Sequence, residues 1–195
     1  MEAEYFLSLV NGQRGHFAYE SGYHSDTWFD LETLCSNPKP IRPAILKLCT
    51  EIAEWEPEVI CGPLIEGGFV ALLTAMELER TFAYTLRVAE TTDSGMFPIS
   101  YELPPALKHQ VAGRRVAVVN DVISAGSAVP GTLQSLKKNG AEVVGIASLA
   151  ILGDSFYEFA KQKAIPIRTL RRRSAAAATR DALKFRHTFS SLRKS

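Results

Sequence analysis

The sequence is poor in what builds secreted, metal-bound or membrane-embedded proteins. It has three cysteines, Cys35, Cys49 and Cys61, an odd number without CxxC or zinc-ligand spacing. That excludes a disulfide framework and points to reduced, mostly buried thiols in a cytoplasmic protein. The four histidines, His16, His24, His109 and His187, are scattered without metal spacing and read as satisfied or solvated side chains. No apolar run approaches a membrane span, and the opening MEAEYFLSLV lacks the basic region and apolar length of a signal peptide. An excess of either charge is missing too. Lys plus Arg number 22 against 21 Asp plus Glu, a net charge of +1, which makes nucleic acid an unfavoured partner. Gly-Lys-Ser/Thr and GxGxxG are both absent, which excludes a P-loop nucleotidase and a dinucleotide enzyme of the usual kind.

What is present is the material of one globular domain. The 195 residues are 46% hydrophobic, enough for a sizeable core. Strand-like and helix-like stretches alternate, without repeat or linker, and predict a doubly wound, mainly parallel α/β sheet. A short amphipathic helix is predicted over 2–10 with Phe6, Leu7 and Val10 on one face, ended by Gly12 and Gly15. Strands are predicted over 16–19 and 27–31 around a turn at 20–23, then a helix over 38–55 with Pro40 and Pro43 at its start. Further strands are predicted over 59–61, 82–88, 99–102, 143–152 and 166–170, and helices over 67–79 and 155–163. The polar stretch 89–98 reads as a mobile loop. The resulting division is an N-terminal segment 1–37, an α/β core 38–170 and a basic tail 171–195. From Arg168 to Lys194 the only acid is Asp181; a solvated face is the plain reading of this tail and an anionic partner the alternative.

The chain is organised around VAVVNDVISAGSA, residues 116–128. Four small or branched apolar residues suit a strand buried on both faces. Asn120 and Asp121 follow at its end, then the small, hydroxyl-rich turn Ser124-Ala125-Gly126-Ser127, then a helical pattern over 128–138. A strand, small-residue turn and helix in this order turn free backbone N–H groups and a positive dipole end toward an anion. The plain alternative is an ordinary strand turn with a capping Asp. A second unit, Cys61-Gly62-Pro63-Leu64-Ile65-Glu66-Gly67-Gly68, also joins a buried strand to a helix, and its glycines permit close backbone approach to a ligand.

Residues 116–128 resemble the phosphoribosyl pyrophosphate (PRPP) signature of type I phosphoribosyltransferases, departing from it only in Asn120, where the family has a first acid. The Gly62–Gly68 segment is similar to the same family's pyrophosphate loop. Residues 17–30 are similar to the N-terminal hood of orotate phosphoribosyltransferases, but with Glu20 in place of the family's lysine. The resemblance covers about Phe6 to Leu170. It implies the type I phosphoribosyltransferase fold with a small N-terminal hood. It also implies PRPP- and Mg²⁺-dependent transfer of ribose 5-phosphate to a nucleobase, as in pyrimidine nucleotide biosynthesis, by a homodimer with a shared active site.

Carried over by the motif matches, Asn120, Asp121, Ser124, Ala125, Gly126, Ser127 and Ala128 would bind PRPP. Gly62, Pro63, Gly67, Gly68 and Arg87 would take the pyrophosphate. Asp121 and Arg87 are the catalytic candidates, and Mg²⁺ would be held mainly by substrate and water. Trp28 and Phe29 would face the base, with a core role as the even alternative. The resemblance further implies a non-proline cis peptide near Leu64-Ile65. Three features weigh toward a PRPP-binding sensor with impaired catalysis instead: Asn120, Glu20, and a loop after Arg87 without the family's lysines. No arginine for an orotate carboxylate stands in Leu149–Gly153, so orotate turnover is expected to be slow or absent. Restoring the acid, Asn120→Asp, is expected to tighten PRPP or raise turnover.

Overall fold

A computed structural model describes residues 3–18, 24–65, 67–89, 99–124 and 128–173. The turn at 20–23 with Glu20, the loop from Glu90 to Gly95, Ala125-Gly126-Ser127 and the tail from Ser174 onward lie outside the described residues.

Helix α1 (Ala3–Leu9) buries Phe6, with Val10 just beyond it, as its pattern predicts. Strands β1 (Gln13–Ala18) and β2 (His24–Trp28) form a separate antiparallel pair, Gln13 opposite Trp28 and Ala18 opposite His24. Both are earlier than predicted: Gly15 lies inside β1, and Phe29 to Leu31 lie outside β2. The reason is backbone pairing, which the side-chain pattern does not carry. The Asp30 N–H is bonded to the Val10 carbonyl at 2.9 Å, which takes the chain out of the ladder after Trp28.

Helix α2 (Pro38–Ile52) is capped by Asn37, whose side chain accepts from the Lys39 N–H at 3.1 Å. Pro43 lies inside it rather than at its start. The helix runs on because Ile41, Ala44, Ile45, Leu48, Cys49 and Ile52 are all buried along one face. A 3₁₀ turn, Ala53–Trp55, closes it.

The remaining strands form one six-stranded sheet: β3 (Val59–Leu64), β4 (Thr81–Ala89), β5 (Ile99–Glu102), β6 (Arg115–Ile123), β7 (Glu142–Leu152) and β8 (Ile167–Arg173). Their order is β5-β4-β3-β6-β7-β8, parallel except for β5. Helices α3 (Gly68–Leu78), α4 (Lys108–Val111), α5 (Ala128–Lys138) and α6 (Ser155–Gln162) fill the connections.

Three strands run well past their predicted ends. β3 passes through Gly62 and Pro63 to Leu64, because pairing with β4 continues to Leu64–Leu86. β6 passes through Asn120 and Asp121 to Ile123, because pairing with β7 continues from Asn120–Ser148 to Ile123–Ile151. β8 takes in Arg171, Arg172 and Arg173, read from sequence as the start of the tail. Arg171 lies over the Phe6 ring at 5.9 Å. Arg172 lies over the Tyr157 ring at 4.1 Å and bonds Asp154 at 2.9 Å, so these cations have seats in a strand.

Strand β6 divides the core. Ala117 and Val119 belong to a cluster with α1, α2 and α3, and Val116 and Val118 to a cluster with α5 and α6. Both faces being covered is what a parallel sheet requires. Packing is tight where β7 passes Trp55: a Cβ on Gly145 would lie 2.5 Å from that ring. Gly145→Ala is therefore expected to cost about 1–3 kcal/mol through overpacking, read as a lower urea midpoint at unchanged slope.

Candidate functional site

The sheet order places a topological switch between β3 and β6. From β3 the chain crosses through α3 to β4 on one side; from β6 it crosses through α5 to β7 on the other. In open α/β sheets the crevice beyond the carboxyl ends of two such strands is where ligands bind. Both motifs singled out in the sequence end here.

On the β3 side, Gly62 and Pro63 are buried strand residues. The Leu64–Ile65 peptide is cis, as the resemblance implies. Gly67 caps α3 and Gly68 begins it, its N–H bonded to the Ile65 carbonyl at 3.3 Å; the N–H groups that follow in the first turn have no intrahelical partner. Glycine is the only residue that fits at 62 and 67. A Cβ at Gly62 would come within 2.9 Å of the Val119 carbonyl oxygen. At Gly67 it would come within 2.0 Å of Asn120 Oδ1 and 2.4 Å of Asn120 Cα. Arg87 lies on β4 one residue past the Leu64–Leu86 pair, level with the end of β3 and exposed.

On the β6 side, Asn120 and Asp121 are each only 3% exposed. Asp121 Oδ1 accepts from the Val122 N–H at 2.6 Å, and Asn120 Nδ2 donates to the Val122 carbonyl at 3.3 Å. Ser124 is exposed at the end of β6, and Ala128 opens α5. Helix α5 begins at Ala128, as the sequence predicts, and β6 ends at Ile123, beyond the predicted strand end.

The hood supplies what sequence reasoning missed. Cys35, in the turn between hood and α2, feels the Asp121 charge: burial first and that carboxylate second push its thiol up to about 11. Burial alone pushes Cys61 to about 12. Phe29 is half-buried with its ring edge-to-face on Phe6 at 5.6 Å, the core role that was its alternative. Trp28 ends β2 opposite Gln13. Arg171, two strands from β6 and level with Ala150, is a cation near this end of the sheet that was assigned to the tail. No signal in the sequence links Cys35 or Arg171 to Asp121; strand register places Arg171 and the course of the turn before α2 places Cys35.

Among the described residues no three His, Cys, Asp or Glu side chains gather as a metal-binding group. Among the described residues the crevice offers one carboxylate, Asp121, and one amide oxygen, Asn120. Oxygen donors this few fit Mg²⁺ that keeps most of its coordination on phosphate and water.

Crevice, glycines and paired helix starts define an α/β protein with an arrangement suited to an anionic ligand at its switch point. No family model matches the chain. Orotate phosphoribosyltransferase of Pyrococcus abyssi is 33% identical over 136 residues, covering 68% of this chain and 69% of that protein. Adenine phosphoribosyltransferase of Gluconobacter oxydans is 29% identical over 133 residues, covering 65% and 74%. The crystal structure of orotate phosphoribosyltransferase from Aeropyrum pernix superposes with a TM-score of 0.68 at 19% identity, over 88% of this chain and 93% of that one, a likeness of fold. The chain belongs to the type I phosphoribosyltransferases, and within them it is orotate phosphoribosyltransferase-like.

Two outcomes follow from this geometry. Gly67→Ala must displace β6 or the start of α3, and PRPP affinity is expected to fall at least about 100-fold in calorimetric titration. Asp121→Asn removes a negative charge that holds the Cys35 thiol protonated. The Cys35 pKa then falls, its thiolate fraction at pH 8 rises, and iodoacetamide labelling of the Cys35 peptide is expected to speed up several-fold.

Proposed function

We propose that the protein transfers ribose 5-phosphate from PRPP to a ring nitrogen of a nucleobase, releasing pyrophosphate, in a Mg²⁺-dependent reaction of pyrimidine nucleotide biosynthesis. The observation that carries this reading is the meeting of two strand–turn–helix units, at Gly62–Gly68 and Asn120–Ala128, on either side of one switch point. A diphosphorylated sugar needs two anion sites with a polar grip between them, and this arrangement offers both.

In this reading the start of α5, with Ser124 and the Ala125–Ser127 turn, binds the 5′-phosphate through N–H groups and the helix dipole. The start of α3, with Gly67 and Gly68, takes the pyrophosphate, and Arg87 adds a charge-assisted contact from β4. Asp121 grips a ribose hydroxyl. Held dry, its carboxylate also favours the positive charge that grows on the anomeric carbon as pyrophosphate leaves. Mg²⁺ would be held mainly by substrate oxygens and water, and would supply neutralisation of the pyrophosphate charge. Trp28 offers a flat surface to the base.

A homodimer is part of the proposal. The outer face of α3 carries Phe69, Leu72 and Met76, exposed by 47%, 45% and 62%, with Ile65, Leu86 and Val88 exposed beside the pyrophosphate loop. A groove of about 340 Å³ between α2 and α3, lined by Ile45, Leu73, Met76 and the Arg42–Glu77 ion pair, continues this face. Such a patch fits a second copy of the chain. The proposed cytoplasmic location is supported by free Cys35, Cys49 and Cys61, the last two buried.

The test is titration with PRPP and Mg²⁺, then pyrophosphate release with orotate, uracil and adenine. Binding with turnover on at least one base is expected, and Asp121→Asn is expected to lower kcat about 10²–10³-fold. Binding without turnover on any base selects the sensor reading. Orotate is expected to be the slower acceptor. Asp154, just past β7, already holds Arg172, and no cation stands in Leu149–Gly153 for a carboxylate. Val88→Lys, which puts a cation beside Arg87, is expected to raise kcat with orotate.

A further inference from the structure

Arg87 is exposed, but two residues that neighbour it in the sheet are buried against one helix. On β4, Thr85 lies two residues before Arg87 and on the same face. Across the β4–β5 pair Arg87 stands opposite Tyr101, which is 5% exposed. Both neighbours meet α5, at consecutive positions. The Thr85 and Thr132 hydroxyl oxygens are 2.7 Å apart, one donating to the other, and both residues are 0% exposed. Gly131 lies so close to the Tyr101 ring that a Cβ there would come within 2.8 Å of Cδ2. Further along the helix, Ser135 Oγ accepts from the Leu103 N–H at 2.9 Å, just past β5. Apolar side chains of the same elements, Ala83 on β4 with Val129, Leu133 and Leu136 on α5, belong to one buried cluster.

We propose that Thr132 is a positioning residue for Arg87: its bond to Thr85, backed by Gly131 against Tyr101, fixes where Arg87 stands relative to the start of α5. This rests on the phosphoribosyl reading, in which Arg87 meets the pyrophosphate and the start of α5 meets the 5′-phosphate. It goes beyond that reading by assigning what sets the span between the two anion sites. PRPP carries both anions on one ribose, so it binds well only where the sites are correctly spaced. Either anion alone needs only its own site. A separation of 2.7 Å is open to two oxygens that share a proton, whereas a carbon in place of either needs about 3.5 Å. Thr132→Val keeps the shape of the side chain, removes the bond and presses a methyl group against Thr85. Helix and strand must then move apart, and a close-packed interior passes such a shift on to its neighbours. Thr132→Ser keeps the hydroxyl and with it the spacing.

The test is calorimetric titration of the full chain with PRPP and Mg²⁺, with ribose 5-phosphate, and with inorganic pyrophosphate and Mg²⁺, the weaker ligands being measured by displacement of PRPP. It is run on the unsubstituted protein, Thr132→Val, Thr132→Ser, Arg87→Ala, and Arg87→Ala combined with Thr132→Val, each checked for native fold by circular dichroism. Thr132→Val is expected to weaken PRPP at least about tenfold, while ribose 5-phosphate and pyrophosphate each change by less than about twofold. Thr132→Ser is expected to bind all three within about twofold of the unsubstituted protein. In the Arg87→Ala background Thr132→Val is expected to add less than about twofold, because the side chain it positions is gone. Thr85→Val makes the same misfit from the strand side and serves if Thr132→Val does not fold. Equal weakening of all three ligands, full PRPP affinity in Thr132→Val, or additive losses in the double variant overturns the proposal. Failure of the unsubstituted protein to bind PRPP overturns the phosphoribosyl reading, and this proposal with it. Binding of PRPP together with any of the three contrary outcomes leaves that reading standing and removes only this one.

Discussion

The close approach of the β3–α3 turn to β6 is the constraint on which the site depends. Gly67 has no room for a Cβ because the backbone and side chain of Asn120 fill that space. Gly62 is held in the same way by the Val119 carbonyl and by Ala71. These contacts join two strand–turn–helix units that are far apart in sequence into one wall. Core packing transmits small displacements rather than absorbing them. The starts of α3 and α5 are therefore set relative to each other by the fold, before any ligand arrives.

Among the described residues the charges near this wall are few and separated. Asp121 is the one carboxylate at the end of β6, and its field reaches Cys35 in the turn that follows the hood. Three arginines of β8 are occupied by aromatic faces and acids: Arg168 with Trp55 and Glu54, Arg171 with Phe6, Arg172 with Tyr157 and Asp154. A single buried negative charge opposite two helix starts favours a ligand with two anionic ends and a positive centre between them. That is the charge pattern of a phosphoribosyl group losing pyrophosphate.

Much of this was legible in the chain. The run Val116–Val119 reads as a strand because a strand covered on both faces has no polar side to interrupt it. Helix α5 reads from its spacing, and the Gly62–Gly68 segment from glycines placed between a strand and a helix. The continuation of β6 was not legible, since Asn120 and Asp121 look like the end of an apolar strand and only pairing with β7 carries it on. The arginines of β8 were hidden for the same reason. A cation in a strand is tolerated when an aromatic ring lies beneath it, and the rings are supplied by Phe6, Trp55 and Tyr157 from distant parts of the sequence. The proximity of Cys35 to Asp121 leaves no trace in either segment. In each case the missing information is tertiary.

The central claim is that both turns face one ligand. The measurement that tests it most directly is amide hydrogen exchange with and without PRPP and Mg²⁺, resolved by peptide. The account predicts that the ligand slows exchange together in two places: across residues 62–70, and from Asn120 to the first turn of α5. Protection confined to one of the two segments, or centred on the groove between α2 and α3, would contradict it.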